Sequence, residues 1–206
     1  MPSLILASAS PRRRRLLSEI GLRFKVSPSR LHEDVRGLRD PVAICRKLAV
    51  DKAKSVVRHH PEDYVLAADT IVVFQGRILG KPKNRKEAVD MLTMLSGRRH
   101  EVLTCVVLAA PGQRMTSVLA RTKVLMRRYS DQEIRRFVAS GRALDKAGAY
   151  AIQDPKFCPV ASIKGCYCNV VGLPVKTVLI LLKKRNFFSP GRLPRLFACR
   201  ECPLAR

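Results

Sequence analysis

Leu4-Ile5-Leu6-Ala7-Ser8-Ala9-Ser10-Pro11-Arg12-Arg13-Arg14-Arg15-Leu16-Leu17 reads as a buried strand that turns directly into a helix. The apolar run Leu4 to Ala7 is strand-like, Ser10 is a good N-cap, and Pro11 suits the first helical position. Leu16, Leu17 and Ile20 then share one face before Gly21. The four arginines therefore open the helix. A helix N-terminus already presents unpaired N–H groups and partial positive charge, so guanidinium groups added there repel one another unless an anion sits in front of them. A phosphate is the natural occupant for Arg12 and Arg13, whereas Arg14 and Arg15 read as a solvated face.

The same alternation continues along the chain. Phe24 to Ser27 is a short strand, and Arg30 to Arg39 a polar loop holding the acidic pair Glu33-Asp34. Asp40 caps a second helix with Pro41 in its first turn, and Ile44, Leu48 and Val56 mark its apolar side to about His60. Tyr64 to Phe74 is a strand, Gln75-Gly76 a hairpin turn and Arg77 to Leu79 the return. Asn84 and Glu87 resemble a capping box before a helix with Ala88, Met91, Leu92 and Leu95 inward. Val102 to Ala110 and Ser117 to Met126 form an antiparallel pair about Pro111-Gly112. Ser130 and Glu133 cap a helix with Ile134, Phe137 and Val138 inward, ending at Gly141. Ala149 to Ile152 and Ala161 to Val171 read as further strands, and Pro174 opens a last helix through Leu182. Interleaved strands and helices make the fold class α/β.

The chain has 206 residues, 47% of them hydrophobic, enough to bury one substantial core. Residues 1–183 are read as one domain and residues 184–206 as a basic, poorly ordered extension where proline, glycine and basic residues replace any period. The formal net charge is +24. Residues 183–206 hold seven Lys or Arg and one Glu, so most of the excess lies on the body, and it attracts polyanions of any kind. No apolar run is long enough to cross a bilayer and no signal-peptide layout is present, which points to a cytoplasmic protein without membrane partners. Seven irregularly spaced cysteines read as reduced thiols. Cys199-x-x-Cys202 lacks a second ligand pair and assigns no structural metal.

Asp69, in Val65-Leu66-Ala67-Ala68-Asp69-Thr70-Ile71-Val72-Val73, is a carboxylate inside an apolar strand and calls for a partner. A metal or a substrate water would serve, and so would a backbone donor or a lysine. Lys81, between Gly80 and Pro82, tilts the balance: glycine allows close approach, proline stiffens the turn, and lysine brings a point charge suited to phosphate. Lys52, on a helix, is weaker evidence. Gln153 carries both a donor and an acceptor with which to read a base edge. His59, His60 and His100 lack a Cys, Ser or carboxylate partner in the pattern and read as surface residues. Neither a P-loop nor a dinucleotide fingerprint is present.

Six strings together carry a family resemblance: Ser8-x-Ser10-Pro11-Arg12-Arg13, Ala68-Asp69-Thr70, Gly80-Lys81-Pro82, Leu95-Ser96-Gly97 with His100, Lys146-Ala147-Gly148-Ala149-Tyr150-Ala151-Ile152-Gln153, and Gly165-x-Tyr167-x-x-Val170-Val171-Gly172-Leu173-Pro174. In this order they resemble the Maf-type nucleotide pyrophosphatases from about Leu4 to Leu182. The resemblance implies a Maf/ITPase-like mixed β-sheet flanked by helices around a central nucleotide-binding cleft, often in a homodimer. It implies hydrolysis of a nucleoside triphosphate to the monophosphate and pyrophosphate with a divalent cation, Mg²⁺ or Mn²⁺. By motif, Asp69 is similar to the family's proton acceptor, and Arg12, Thr70 and Gln153 to its specificity positions. Ser8, Arg13, Lys52 and Lys81 correspond to phosphate contacts, and Glu33 with Asp69 to metal contacts. Arg, Asp-Thr and Gln at the three specificity places resemble the dTTP/UTP branch, where the 7-methyl-GTP branch has Trp, Asp-Gln and Glu. Asp154-Pro155-Lys156 departs from the glycines that usually follow the glutamine, and the resemblance offers the basic tail beyond Lys183 no role. The competing reading is a nucleic-acid or polyanion-binding protein, motivated by the charge but short of stacking aromatics, at 5% with no Trp.

Overall fold

The computed structural model describes residues 2–31 and 33–188. The strand and helix at Leu4 form as their sequence dictates: β1 is Leu4–Leu6, and α1, Pro11–Glu19, is capped by the Ser10 hydroxyl, which accepts from the Arg13 amide at 3.4 Å. The remaining elements are β2 (Lys25–Val26), α2 (Pro41–Val57), β3 (Tyr64–Phe74), β4 (Arg77–Leu79), α3 (Arg85–Leu95), β5 (Arg99–Ala109) and β6 (Thr116–Met126). After them come α4 (Asp131–Ala139), a single 3₁₀ turn (Ala147–Ala149), β7 (Val160–Lys164), α5 (Tyr167–Val171) and α6 (Val175–Lys184). Asp40 caps α2 through both carboxylate oxygens, and Ser130 with Glu133 forms a complete capping box on α4. At α3 the box is half made: Asn84 caps, but Glu87 reaches back to the Lys83 amide at 2.7 Å.

Seven strands make one mixed sheet in the order β2-β1-β3-β5-β6-β7, with β4 on β3. β1 is parallel to β2 and β3, and the other pairings are antiparallel. Strand alternation sorts side chains between the faces. Ile5, Val65, Ala67, Leu103, Cys105 and Val107 lie under α2 with Cys45, Ala49 and Ala53. The opposite face carries two separate apolar clusters. Leu66, Ala68, Val106 and Leu108 pack on α1 and α6, while Val72, Phe74, Val102 and Val124 pack on α3 and α4. Thr70 and Thr104 occupy the gap between them, opposite each other in register and 2.9 Å apart at their hydroxyls.

β1 pairs with β3 only as far as Leu66, and β4 joins β3 only from Val72. The backbone of β3 between them therefore has no strand on that edge. Asp69 and Thr70 alternate to opposite faces, yet both open onto the same hollow because the sheet is incomplete there.

Two segments expected as strands take other forms. Ala149 to Ile152 is not extended: Gly148 and Ala149 have φ of +69° and +62°, which curl the chain into the 3₁₀ turn. The run Ala161 to Val171 is strand only to Lys164. Gly165, at φ +135°, lies against Thr122, where a Cβ would come within 2.8 Å of the hydroxyl, and the chain then coils into α5. At the end of α6 the Tyr64 hydroxyl donates to the Arg185 carbonyl at 2.9 Å, and Phe187 meets Tyr64 edge-on at 5.0 Å. Residues 189–206, with Cys199 and Cys202, lie outside the described residues. No helix among those described is long and apolar enough to cross a membrane.

Candidate active site

A cleft of about 670 Å³ opens at the gap in the sheet, lined among others by Arg12, Arg13, Glu33, Lys52, Asp69, Thr70, Lys81 and Gln153. Eight of the nine residues expected to act therefore share one cavity; Ser8 lies just behind it. Asp69, 7% exposed, projects from the open edge of β3, and its partner is the lysine on α2. Lys52 Nζ donates to Asp69 Oδ1 and lies 2.7 Å from Glu33 Oε1, so one ammonium bridges two carboxylates. The Lys52 position on α2 follows from its helical spacing with Leu48 and Val56, which puts it on the side facing the sheet.

Burial pushes the Asp69 carboxyl above its ordinary range, with the charges of Lys52 and Arg13 opposing and Glu33 adding to the rise. Burial alone would lower Lys52, but Asp69 and Glu33 outweigh it and hold the ammonium protonated above its usual range. Beneath Asp69 lies the buried Cys45 thiol, pointing at the Asp69 carbonyl and pushed up to about 12 by burial and by the nearby carboxylate.

The opening arginines separate into three roles. Arg14 and Arg15 are exposed, Arg15 pairing with Glu19 one turn away at 2.6 Å. Arg12 lines the cleft and faces Asp145 across 3.7 Å. Arg13 is buried, and protein acceptors take up three of its five N–H groups: the Gly172 carbonyl at 2.8 Å, Ser8 Oγ at 3.1 Å and Thr70 Oγ1 at 3.0 Å. Ser8 is thus a ligand of Arg13. Thr70, bonded to Arg13 and Thr104 and 3.3 Å from the Gly172 carbonyl, shapes the floor of the cleft with its hydroxyl already occupied. Thr104 in turn donates to the Asn169 carbonyl at 3.2 Å, a buried hydroxyl chain that sequence alone did not single out.

Lys81 is exposed at the rim, on the turn that follows β4, and the Gly80 carbonyl accepts from the Gly148 amide at 3.0 Å. That bond ties the lysine turn to the far wall, which carries Asp145, Lys146, Tyr150 and Gln153. His100 is not a surface residue: it is 3% exposed on β5, with Nε2 2.7 Å from the Tyr150 hydroxyl. Burial lowers its pKa to about 4, so the imidazole is neutral at neutral pH. The Leu95-Ser96-Gly97 spacing carried the signal, but a histidine on an alternating strand gives no sign of its depth.

No cluster of three or more His, Cys, Asp or Glu side chains suited to a metal occurs among the described residues. The donor set nevertheless fits a hard divalent cation in one way: Glu33 and Asp69 already converge on a single positive charge, and Mg²⁺ takes one or two carboxylates with substrate phosphates completing its shell.

Known proteins resemble this chain over most of its length. A dTTP/UTP pyrophosphatase of Thermomicrobium roseum is 48% identical over 206 residues, covering 98% of this chain and 94% of that protein. The enzymes of that name from a Geobacillus strain and from Moorella thermoacetica are 44% and 48% identical, covering 89% and 88% of this chain and 98% and 94% of their own lengths. The family model for Maf-like proteins spans residues 3–185, from the first strand to the end of the last helix, and the chain belongs to the Maf family.

Proposed function

We propose that this protein is a nucleoside triphosphate pyrophosphatase that converts dTTP and UTP to the monophosphate and pyrophosphate. The observation that carries the reading is the Glu33–Lys52–Asp69 line at the foot of a cleft whose rim is cationic and whose far wall holds a glutamine. Its relatives' shared activity supports it.

A water lying between Asp69 and the α-phosphorus attacks in line, passes its proton to Asp69, and pyrophosphate leaves. A carboxyl raised by burial suits that acceptor role. Arg12, Lys52, Lys81 and the two remaining N–H groups of Arg13 spread positive charge along the phosphates, where most of the rate enhancement in phosphoryl chemistry arises. Glu33 and Asp69 would hold Mg²⁺ or Mn²⁺, which when bound neutralises phosphate oxygens. Gln153 offers an acceptor and a donor that match the N–H and carbonyl of a uracil or thymine edge. A cytoplasmic location, beside the nucleotide pool, accords with this chemistry.

Pyrophosphate release from dTTP, UTP, CTP and 7-methyl-GTP, with and without chelator, tests the reading. Preference for dTTP and UTP, lost on chelation, is expected. Preference for 7-methyl-GTP would overturn the choice of branch, and no turnover of any triphosphate would overturn the activity and leave polyanion binding as the use of the +24 charge.

A further inference from the structure

We propose that the Arg142–Asp154 pair, a buried carboxylate met by a half-exposed guanidinium, is a positioning device for base recognition: it fixes the backbone turn that aims Gln153 into the cleft. The inference rests on the pyrophosphatase reading above. Gln153 is exposed on the cleft wall, and no hydrogen bond holds its side chain among the described residues, so its aim is set by its backbone.

The residue that secures that backbone is the next one. Asp154 Oδ1 accepts from the amides of Lys156 at 3.1 Å and Phe157 at 2.9 Å, and Oδ2 accepts from Arg142 Nη1. Its own amide donates to the Ala151 carbonyl at 3.1 Å, and its carbonyl accepts from the Cys158 amide at 3.0 Å. The Asp154 side chain is 7% exposed, and a carboxylate at that depth is tolerated only with its lone pairs met. Arg142 is held in turn. Its Nε donates to Ser140 Oγ at 3.0 Å, and its guanidinium lies 5.2 Å from the Phe137 ring, on which Phe157 stacks at 4.2 Å.

At the other end of the same strap, Tyr150 is fastened to β5 through His100. The four residues from Tyr150 to Gln153 are thus pinned twice, once to the sheet and once to the end of α4. The departure Asp154-Pro155-Lys156 supplies the second pin from a side chain, in a stretch with no regular secondary structure to hold it. The specificity glutamine inherits its place from an ion pair that does not line the cleft.

A double-mutant cycle on the full chain tests this, read as KM and kcat for pyrophosphate release from dTTP, UTP and CTP. Asp154→Ala is expected to raise KM for dTTP about tenfold and to cut the preference for dTTP over CTP by a similar factor, with kcat within about threefold. Gln153→Ala is expected to do the same, and the double variant to be no worse than either single, since a misplaced amide and a missing one fail alike. Asp154→Asn keeps the acceptor for the two amides and loses the charge opposite Arg142, so its effect falls between; if Asp154→Ala does not fold, the cycle with Asp154→Asn decides by the same criterion. Multiplying effects, or a loss confined to kcat or to thermal stability with nucleotide preference unchanged, overturn the positioning role. If the unmodified protein releases pyrophosphate from none of the three, the pyrophosphatase reading falls and this inference with it. If it does release pyrophosphate and the effects multiply, this inference alone falls.

Discussion

The two walls of the cleft are made of different material. On one side Asp69, Lys52, Arg12 and Arg13 stand on β3, α2 and α1, elements whose caps and periodicity are written locally. On the other, Tyr150 and Gln153 stand on a curled segment with left-handed residues, fastened by single side chains to distant elements. The first wall takes the phosphates and the proton in the proposed reaction, and the second takes the base. Regular elements fix charge where a misplacement would end turnover, whereas an irregular strap sets a preference that can change without rebuilding the sheet.

Substitutions on the first wall should therefore cost most. Asp69→Asn is expected to lower pyrophosphate release by about 10²–10⁴-fold, while calorimetric binding of nucleotide persists; undiminished turnover would remove Asp69 from the chemistry. Lys52→Met leaves Asp69 buried without its cation, and is expected to destabilise the fold by about 3 kcal/mol in urea unfolding. Asp69→Asn in the Lys52→Met background should recover most of that loss, and a failure to do so would mean that the pair is not what the charges stabilise.

The second wall should show itself through pH. His100 is held neutral with a pKa of about 4 against an ordinary 6.5, so the unfolded chain binds the proton first as pH falls. The stability His100 contributes is present above pH 6.5 and is lost between there and about pH 4, up to about 3 kcal/mol. His100→Gln should flatten that part of the profile; an unchanged slope would assign it to other groups. Least of all, Arg15→Ala, which removes an exposed pair with Glu19, is expected to leave both activity and thermal midpoint where they are.

The contrast between the walls also marks what could be read in advance. Ser10, Asp40 and Ser130 announce helices within four residues of themselves, and β3 runs from Tyr64 to Phe74 as its apolar pattern requires. Asp69, Arg12 and Arg13 stood out because a carboxylate and arginines interrupt otherwise regular patterns, whereas Lys52 and Thr70 joined them only through the family resemblance. The strap was not legible. Ala149-Tyr150-Ala151-Ile152 has the composition of a strand, and the partners that hold it curled stand outside it: the Gly80 carbonyl on Gly148, the His100 ring on Tyr150, 50 residues away, and Arg142 on Asp154, 12 residues away. Arg13 shows the same limit from the other side. The sequence places it at a helix mouth suited to an anion, but Gly172, 159 residues on, supplies the acceptor that takes its Nε.

One consequence of the β3–β4 hairpin concerns how the walls are joined. Val72 faces Leu79 and Phe74 faces Arg77 around the Gln75-Gly76 turn, with Asp69 three residues before the first of these pairs and Lys81 two residues after it. The two residues thus leave the hairpin on adjacent arms, whose backbones lie about 5 Å apart where they pair. The turn that carries Lys81 is bonded in addition to the far wall, through the Gly80 carbonyl and the Gly148 amide at 3.0 Å. The hairpin therefore links the strand that bears the carboxylate to the wall that bears the glutamine, and opening it would disturb both at once.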